Sequence, residues 1–258
     1  MRPLDIYFHM FLIPLALGLF TISSAGADPL QDPPPLTSQE VMSNAEHINM
    51  LRKGQYVELD REMNQIQRDY EEGRRDDINL SHLFRAFYDT DPALDVKYEA
   101  WIAAFPHSYA AYEAQGIYYR RYGYQIRGSN YAGKTAPQKF EEMQLYLNRA
   151  MDKHKHAMSL TAKPMLTYYN VLSIAKLSGS RPTAKKMMEL AIQADPKNYI
   201  VRFKYMLMLE TRWGGSLNEM KQFRAEAKRA GLPDKQLQYF DELISDEMKW
   251  LALQNRKP

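Results

Sequence analysis

The chain contains no cysteine. That absence excludes disulfides, thiolate metal sites, a cysteine nucleophile and an acylated lipoprotein terminus, and it leaves stability to packing. Excess charge of one sign is also scarce. Lys and Arg number 34 against 31 Asp and Glu, a net +3 with no long basic run, so no nucleic-acid partner is expected. Recognisable catalytic spacing is missing too: there is no Gly-x-Ser-x-Gly elbow, His-Glu-x-x-His pair, phosphate-cradling glycine loop or dinucleotide fingerprint. His154 and His156 are the only clustered histidines. Two apart on a helix, they point to different faces, cannot share a metal, and are expected on solvated surface. Acidic pairs such as Glu71-Glu72, Asp76-Asp77 and Glu141-Glu142 sit where helix ends favour them. No catalytic residue, metal or cofactor is expected.

One long apolar run is present, at the start. Met10 to Ile22 is almost wholly apolar and Ala25-Gly26-Ala27 has the small-x-small form that signal peptidase accepts, so residues 1–27 read as a secretory signal cleaved after Ala27. The run is short for a membrane span, which needs about 20 residues; an uncleaved anchor is the alternative. A periplasmic protein with no stable membrane insertion follows. Residues 28–36, with four prolines, read as an extended linker.

Residues 37–258 read as one all-α domain. Eighteen tyrosines and fifteen methionines provide an aromatic, adaptable core. Thr37 with Glu40 forms a capping box for a helix from Ser38 to about Lys53, which Gly54 ends. Tyr56, Leu59, Met63, Ile66 and Tyr70 then make one apolar stripe up to Gly73. Leu80, Leu83, Phe84 and Phe87 share a further helical face, and Asp91-Pro92 with Asp95 starts a helix that ends before Pro106. After the loop-forming segment SNYAGKTAP, Thr135 with Gln138 is expected to cap a helix reaching about Leu160. Ser216 with Glu219 caps Leu217 to Ala230, and a polar-faced helix from about Asp234 to Gln254 closes the chain.

The pattern is clearest from Tyr168 to Pro196. With Pro196 as the last position of a tetratricopeptide unit of about 34 residues, Tyr168, Val171, Ala184, Met188 and Ala191 fall on positions such a unit needs. Ala184 and Ala191 are small where two helices cross, Gly179 caps the first helix, and Pro182 opens the second. Tyr112, Gly116 and Tyr119 repeat the first-helix spacing, and Ala150 and Ala157 the second. The expected fold is a tetratricopeptide-like α-solenoid of about five helical hairpins plus a C-terminal capping helix.

The aromatic-rich YEAQGIYYRRYGYQIRG segment, the ADP-containing unit and the RWGGSLNEM turn together resemble an uncharacterised bacterial family of tetratricopeptide-like proteins known only as a domain of unknown function. The resemblance spans roughly Leu59 to Met248 and implies an α-solenoid of bacterial origin. It brings no activity and no site residues.

First helices of such units line a concave face. In this register the face carries Glu113, Ile117, Arg120, Arg121, Tyr169, Ser173, Lys176, Phe203, Leu207 and Arg212. Of these, Arg120, Arg121, Tyr169, Lys176, Phe203 and Arg212 are the expected partner contacts, since cations with aromatics suit an acidic segment. Long basic side chains also simply solvate a helix face. The Arg212-to-Ser216 turn is expected to be a structural pin, with anion binding by its N–H groups as the alternative. The expected function is a non-enzymatic periplasmic module that docks a partner protein or acidic segment on its concave face, as an immunity-type protein or a scaffold. A periplasmic hydrolase with Asp and Glu residues in a closed pocket is the competing class.

Overall fold

The computed structural model describes residues 35–128 and 134–254. The signal, its cleavage site and most of the proline-rich linker lie outside the described residues. Those described are helical with no strand: α1 (Ser38–Lys53), α2 (Tyr56–Glu71), α3 (Asp77–Leu83), α4 (Asp95–Ala104), α5 (Tyr109–Arg127), α6 (Pro137–Met158), α7 (Met165–Ser178), α8 (Arg181–Ala194), α9 (Ile200–Met208), α10 (Leu217–Arg229) and α11 (Asp234–Gln254). Three short 3-10 turns join them: η1 (Phe84–Tyr88), η2 (Pro92–Leu94) and η3 (Thr211–Trp213).

Local chemistry sets most boundaries. Thr37 and Glu40 form the expected reciprocal box at the start of α1, and Gly54 ends that helix at φ 71°, a conformation open to glycine without steric cost. Ser216 caps α10 through the Glu219 N–H. The expected Thr135 cap is not formed: α6 begins one position later, with Ala136 as its cap residue and Pro137 in its first turn, where the missing N–H is no loss. The apolar face of Leu80 to Phe87 is split between α3 and η1.

Neighbouring helices pack as antiparallel pairs, α5 with α6 and α7 with α8, while α7 packs on both α5 and α9. Ala150, Ala157, Ala184 and Ala191 are all buried, which lets backbones approach. Gly116 carries the same constraint more sharply. A Cβ there would come within 2.6 Å of the His154 ring. One apolar core runs from Ile48 in α1 to Ile244 in α11.

The N-terminal helices do not simply extend this stack. The segment α3–η1 lies against α7, α9 and α5, and side chains along α2 and α3 reach the entry turns of the three later helices in turn. Asn64 accepts from the Ala110 N–H at 3.1 Å and donates to Ser108 Oγ at 2.9 Å, both at the start of α5. Gln67 Nε2 donates to Thr161 Oγ1 and to the Lys163 carbonyl just before α7. Tyr70 donates to Asp195 Oδ2 at 2.8 Å, and the Asp77 carboxylate takes the backbone N–H groups of Tyr199 and Ile200 at the start of α9. Asn64 and Asp77 thereby satisfy N–H groups at helix starts, where four have no intrahelical partner, while Gln67 and Tyr70 donate to acceptors in the turns before α7 and α9.

The Arg212–Ser216 turn is built around Glu210, which is 4% exposed. Its Oε2 takes Arg212 Nε at 2.6 Å and Trp213 Nε1 at 3.1 Å, while its carbonyl takes the N–H groups of Trp213 and Gly215. The N–H groups of Trp213, Gly214 and Gly215 are thus spent inside the protein. Gly214 has φ 83°, whereas Gly215 does not have positive φ, so what favours glycine at 215 is space and not backbone angle. A Cβ on Gly215 would stand 2.1 Å from the Leu209 carbonyl oxygen and 2.5 Å from its Cα, a clash only backbone movement relieves. Gly215→Ala should therefore destabilise the fold by roughly 1–3 kcal/mol or more, with Gly215→Val no milder, because the first carbon already clashes. Chemical denaturation measures this; an alanine variant as stable as the parent refutes the close approach.

Candidate functional site

The row of positions expected to face an open groove is largely interior. Arg120, Tyr169, Lys176 and Phe203 are buried, and Arg121 and Arg212 are half-buried. As placed, the six do not form an open partner surface. The physical reason lies in what packs on the first helices. Tyr88 of η1 sits over α5, with the Arg121 guanidinium 4.5 Å and that of Arg120 5.9 Å from its ring centre. Lys204 Nζ lies 4.7 Å from the Tyr169 ring and Lys176 Nζ 4.9 Å from that of Trp213, so aromatic faces hold the interior cations. Arg212 is engaged by Glu210.

His154, expected on the surface, is fully buried, and His156 is exposed. His154 Nδ1 lies 2.9 Å from Glu113 Oε2, and the same carboxylate takes Thr167 Oγ1 and Asn170 Nδ2, each at 2.8 Å. The cluster ties α5, α6 and α7 together, with Tyr109 beside Thr167 at 3.2 Å. A buried carboxylate is tolerable only with partners of this kind. The network was not legible in the sequence, because Glu113 and His154 are 41 positions apart and each looks like an ordinary polar residue on a helix. The one local clue was Gly116, small where the His154 ring must fit.

An open cleft of about 560 Å³ runs along α2. Asp60, Asn64, Gln67 and Glu71 recur at helical spacing on this flank of α2, with Arg61 and Arg68 beside them at the rim. The span from Asp60 to Glu71 is three turns, about 17 Å long. The opposite wall is residues 104–109, the turn into α5, and Leu160 and Thr161 close one end. Gln67 is 3% exposed. Its amide N–H groups are shared among Glu71, Thr161 and the Lys163 carbonyl, whereas its Oε1 has no hydrogen-bond partner. Asp60 Oδ1 is held by Trp101 Nε1 at 3.0 Å, and Glu71 is hydrogen-bonded to Thr161. The acids on this wall are thus occupied by structural bonds. Arg61 and Arg68 are exposed, two turns of α2 apart, with His107 exposed on the facing turn.

The cleft therefore offers amide side chains inside, cations at its edge and a helix start in its wall. It brings no acid–base pair or metal-ligand set together, and no group of three or more His, Asp or Glu positioned to hold a metal occurs among the described residues. No described helix is long and apolar enough to cross a membrane. The sequence reading missed this site because the α2 stripe of Leu59, Met63 and Ile66 announces only the buried face. The flank facing the cleft looks like ordinary polar helix surface.

The α2–α3 wall depends on the Asp77 anchor, whose carboxyl burial raises to about 6 from 3.8, against the lowering effect of the Ile200 and Tyr199 N–H groups. The folded state then holds a proton in the window between those values that the unfolded chain has released. This contribution to stability is complete below about 3.8 and is lost as pH rises through about 6, a change on the order of 2–3 kcal/mol. The melting temperature of the parent relative to Asp77→Asn should accordingly rise as pH falls from 7 to 5. A constant difference across that range shows that Asp77 does not titrate there.

Neither curated proteins nor solved structures include a match to this chain. A family model matches residues 44–184, more than half the chain and containing the whole α2 cleft, though it ends before the Arg212–Ser216 turn. The chain belongs to the family described as a domain of unknown function, DUF4034.

Proposed function

We propose that this protein is a non-enzymatic binding module that holds an extended acidic segment of a partner protein in the cleft along α2. The observation that carries this reading is the shape and lining of that cleft: open, three helical turns long, amide-lined within and rimmed by Arg61, Arg68 and His107. About 17 Å accommodates some five residues of extended chain at about 3.3 Å each. Asn64 and Gln67 have the hydrogen-bonding character of a peptide bond, and the unpartnered Gln67 Oε1 is an acceptor for a backbone N–H. The start of α5 contributes partial positive charge. An open cleft with its acids engaged in structural bonds favours recognition over the alternative of a hydrolase with a closed acidic pocket.

Two wider features belong to the same proposal. The hairpins from α5 onward are read as a tetratricopeptide-like stack, supported by the buried alanines that recur at about 34 residues and by the packing of α7 on α5 and on α9. The protein is read as periplasmic, exported by residues 1–27, on the strength of the Met10–Ile22 run and the Ala-Gly-Ala site. Both an immunity-type role and an envelope scaffold are compatible with a peptide-holding module; tight one-to-one binding favours the first.

Fluorescence anisotropy with labelled hexapeptide pools tests the binding reading. A pool rich in Asp and Glu should bind, and a Lys- and Arg-rich pool should not. Because Arg61 and Arg68 are exposed, Arg61→Glu with Arg68→Glu should lower affinity for the acidic pool at least tenfold while leaving the melting temperature unchanged. Equal binding of both pools, or undiminished binding by the double variant, overturns it. For export, mass spectrometry of the protein from the cell envelope should find Asp28 as the first residue; an intact N-terminus on cytoplasmic protein refutes it.

A further inference from the structure

The other flank of α2 carries a second cleft, of about 420 Å³, formed with α1 and the segment that leads into η1. Its lining includes His47, Glu62, Asp69, Arg75, Ile66 and Leu83, and it shares only Arg61 with the first cleft. His47 is 6% exposed. Its Nε2 lies 3.5 Å from Glu62 Oε2, whereas its Nδ1 has no hydrogen-bond partner. Burial lowers the pKa of this imidazole against the raising effect of Glu62, so at neutral pH the ring is uncharged. The carboxylate beside Nε2 places the single ring proton there and leaves Nδ1 a bare acceptor.

The cation of this cleft is also incompletely used. Arg75 hydrogen-bonds to Asn79 Oδ1 through Nη1, and its Nη2 lies 3.7 Å from Asp69 Oδ2, but its buried Nε has no partner. Asp69 itself is engaged by Arg74 and Gln65. Glu62, with its side chain 39% exposed, pairs with Arg61 through Oε1 at 3.6 Å and with His47 through Oε2, and so holds the imidazole in place. An unmatched acceptor and an unmatched donor in one cleft each carry a desolvation cost that a ligand of the right polarity would relieve. Buried Ile66 and Leu83 add an apolar wall.

We infer that this second cleft binds a free zwitterionic α-amino acid with an apolar side chain, its carboxylate taken by Arg75, its ammonium by His47 Nδ1, and its side chain by Ile66 and Leu83. The mixed lining favours this class over simple ions, since a bare anion would meet Glu62 and a bare cation would meet Arg61 and Arg75. The inference does not depend on peptide binding at the first cleft.

Isothermal titration of the full chain with L-alanine, L-valine, L-leucine and L-phenylalanine, each alone, tests it. At least one should bind at millimolar or lower concentration, with affinity falling at least tenfold when the same amino acid is N-acetylated or its carboxylate is converted to an amide. Arg75→Gln should weaken binding similarly. A readout on the unaltered protein guards against misfolded variants: the His47 Nδ1 resonance in imidazole nitrogen spectra should shift on adding the bound amino acid. Absence of binding by all four, equal binding of the capped forms, or an unmoved Nδ1 resonance at saturation overturns the assignment.

Discussion

The structure depends on polar side chains of one short arm reaching helix starts that belong to another part of the chain. Asn64, Gln67, Tyr70 and Asp77 follow one another along α2 and α3 and meet the entries to α5, α7 and α9 in the same order. The first turn of any helix has N–H groups without intrahelical partners, and a buried one left unmatched costs about 1–3 kcal/mol. By satisfying several of these at once, the arm fixes its own position against the later hairpins. That placement puts Tyr88 over α5 and leaves α2 with a cleft on either flank.

Interior charge is managed by a different device in each place. Glu113 is surrounded by His154, Thr167 and Asn170; Glu210 holds its own turn through Arg212 and Trp213; Lys176 and Lys204 rest on aromatic faces. Burying an ion pair often contributes little net stability against apolar residues of the same size, whereas removing one partner is costly. These groups are therefore better understood as fixing which helix faces meet than as adding to the total. On the surface the pattern is different, since Arg61 and Arg68 project from α2 without a buried acid beside them. The same helix thus has a structural face and two polar flanks, each lining a cleft.

Much of the local architecture was legible residue by residue. The Thr37–Glu40 box, the Gly54 and Gly179 terminations and the Ser216 cap of α10 involve neighbours within a few positions, so spacing alone reveals them. Where a second local preference competed, the reading slipped: Pro137 drew the start of α6 away from Thr135. The Arg212-to-Ser216 turn was expected to be a structural pin, and what tightens it at Gly215 is the approach of the Leu209 carbonyl, not a backbone angle. The candidate site was hardly visible, because its walls come from α2, the turn into α5 and the turn into α7.

What the sequence determined by itself is helical content, helix ends, the absence of any cysteine chemistry and the small residues at which helices cross. These follow from interactions over one to four positions, or from composition. Which faces are covered was decided only by tertiary structure. Arg120, Tyr169, Lys176 and Phe203 carry the register of an open groove, yet α3 and η1 pack against the helices that bear them and the four are buried. Exposure of a helix face depends on contacts between segments as far as 125 positions apart, as between Tyr70 and Asp195, and no periodicity within a single segment encodes such a contact.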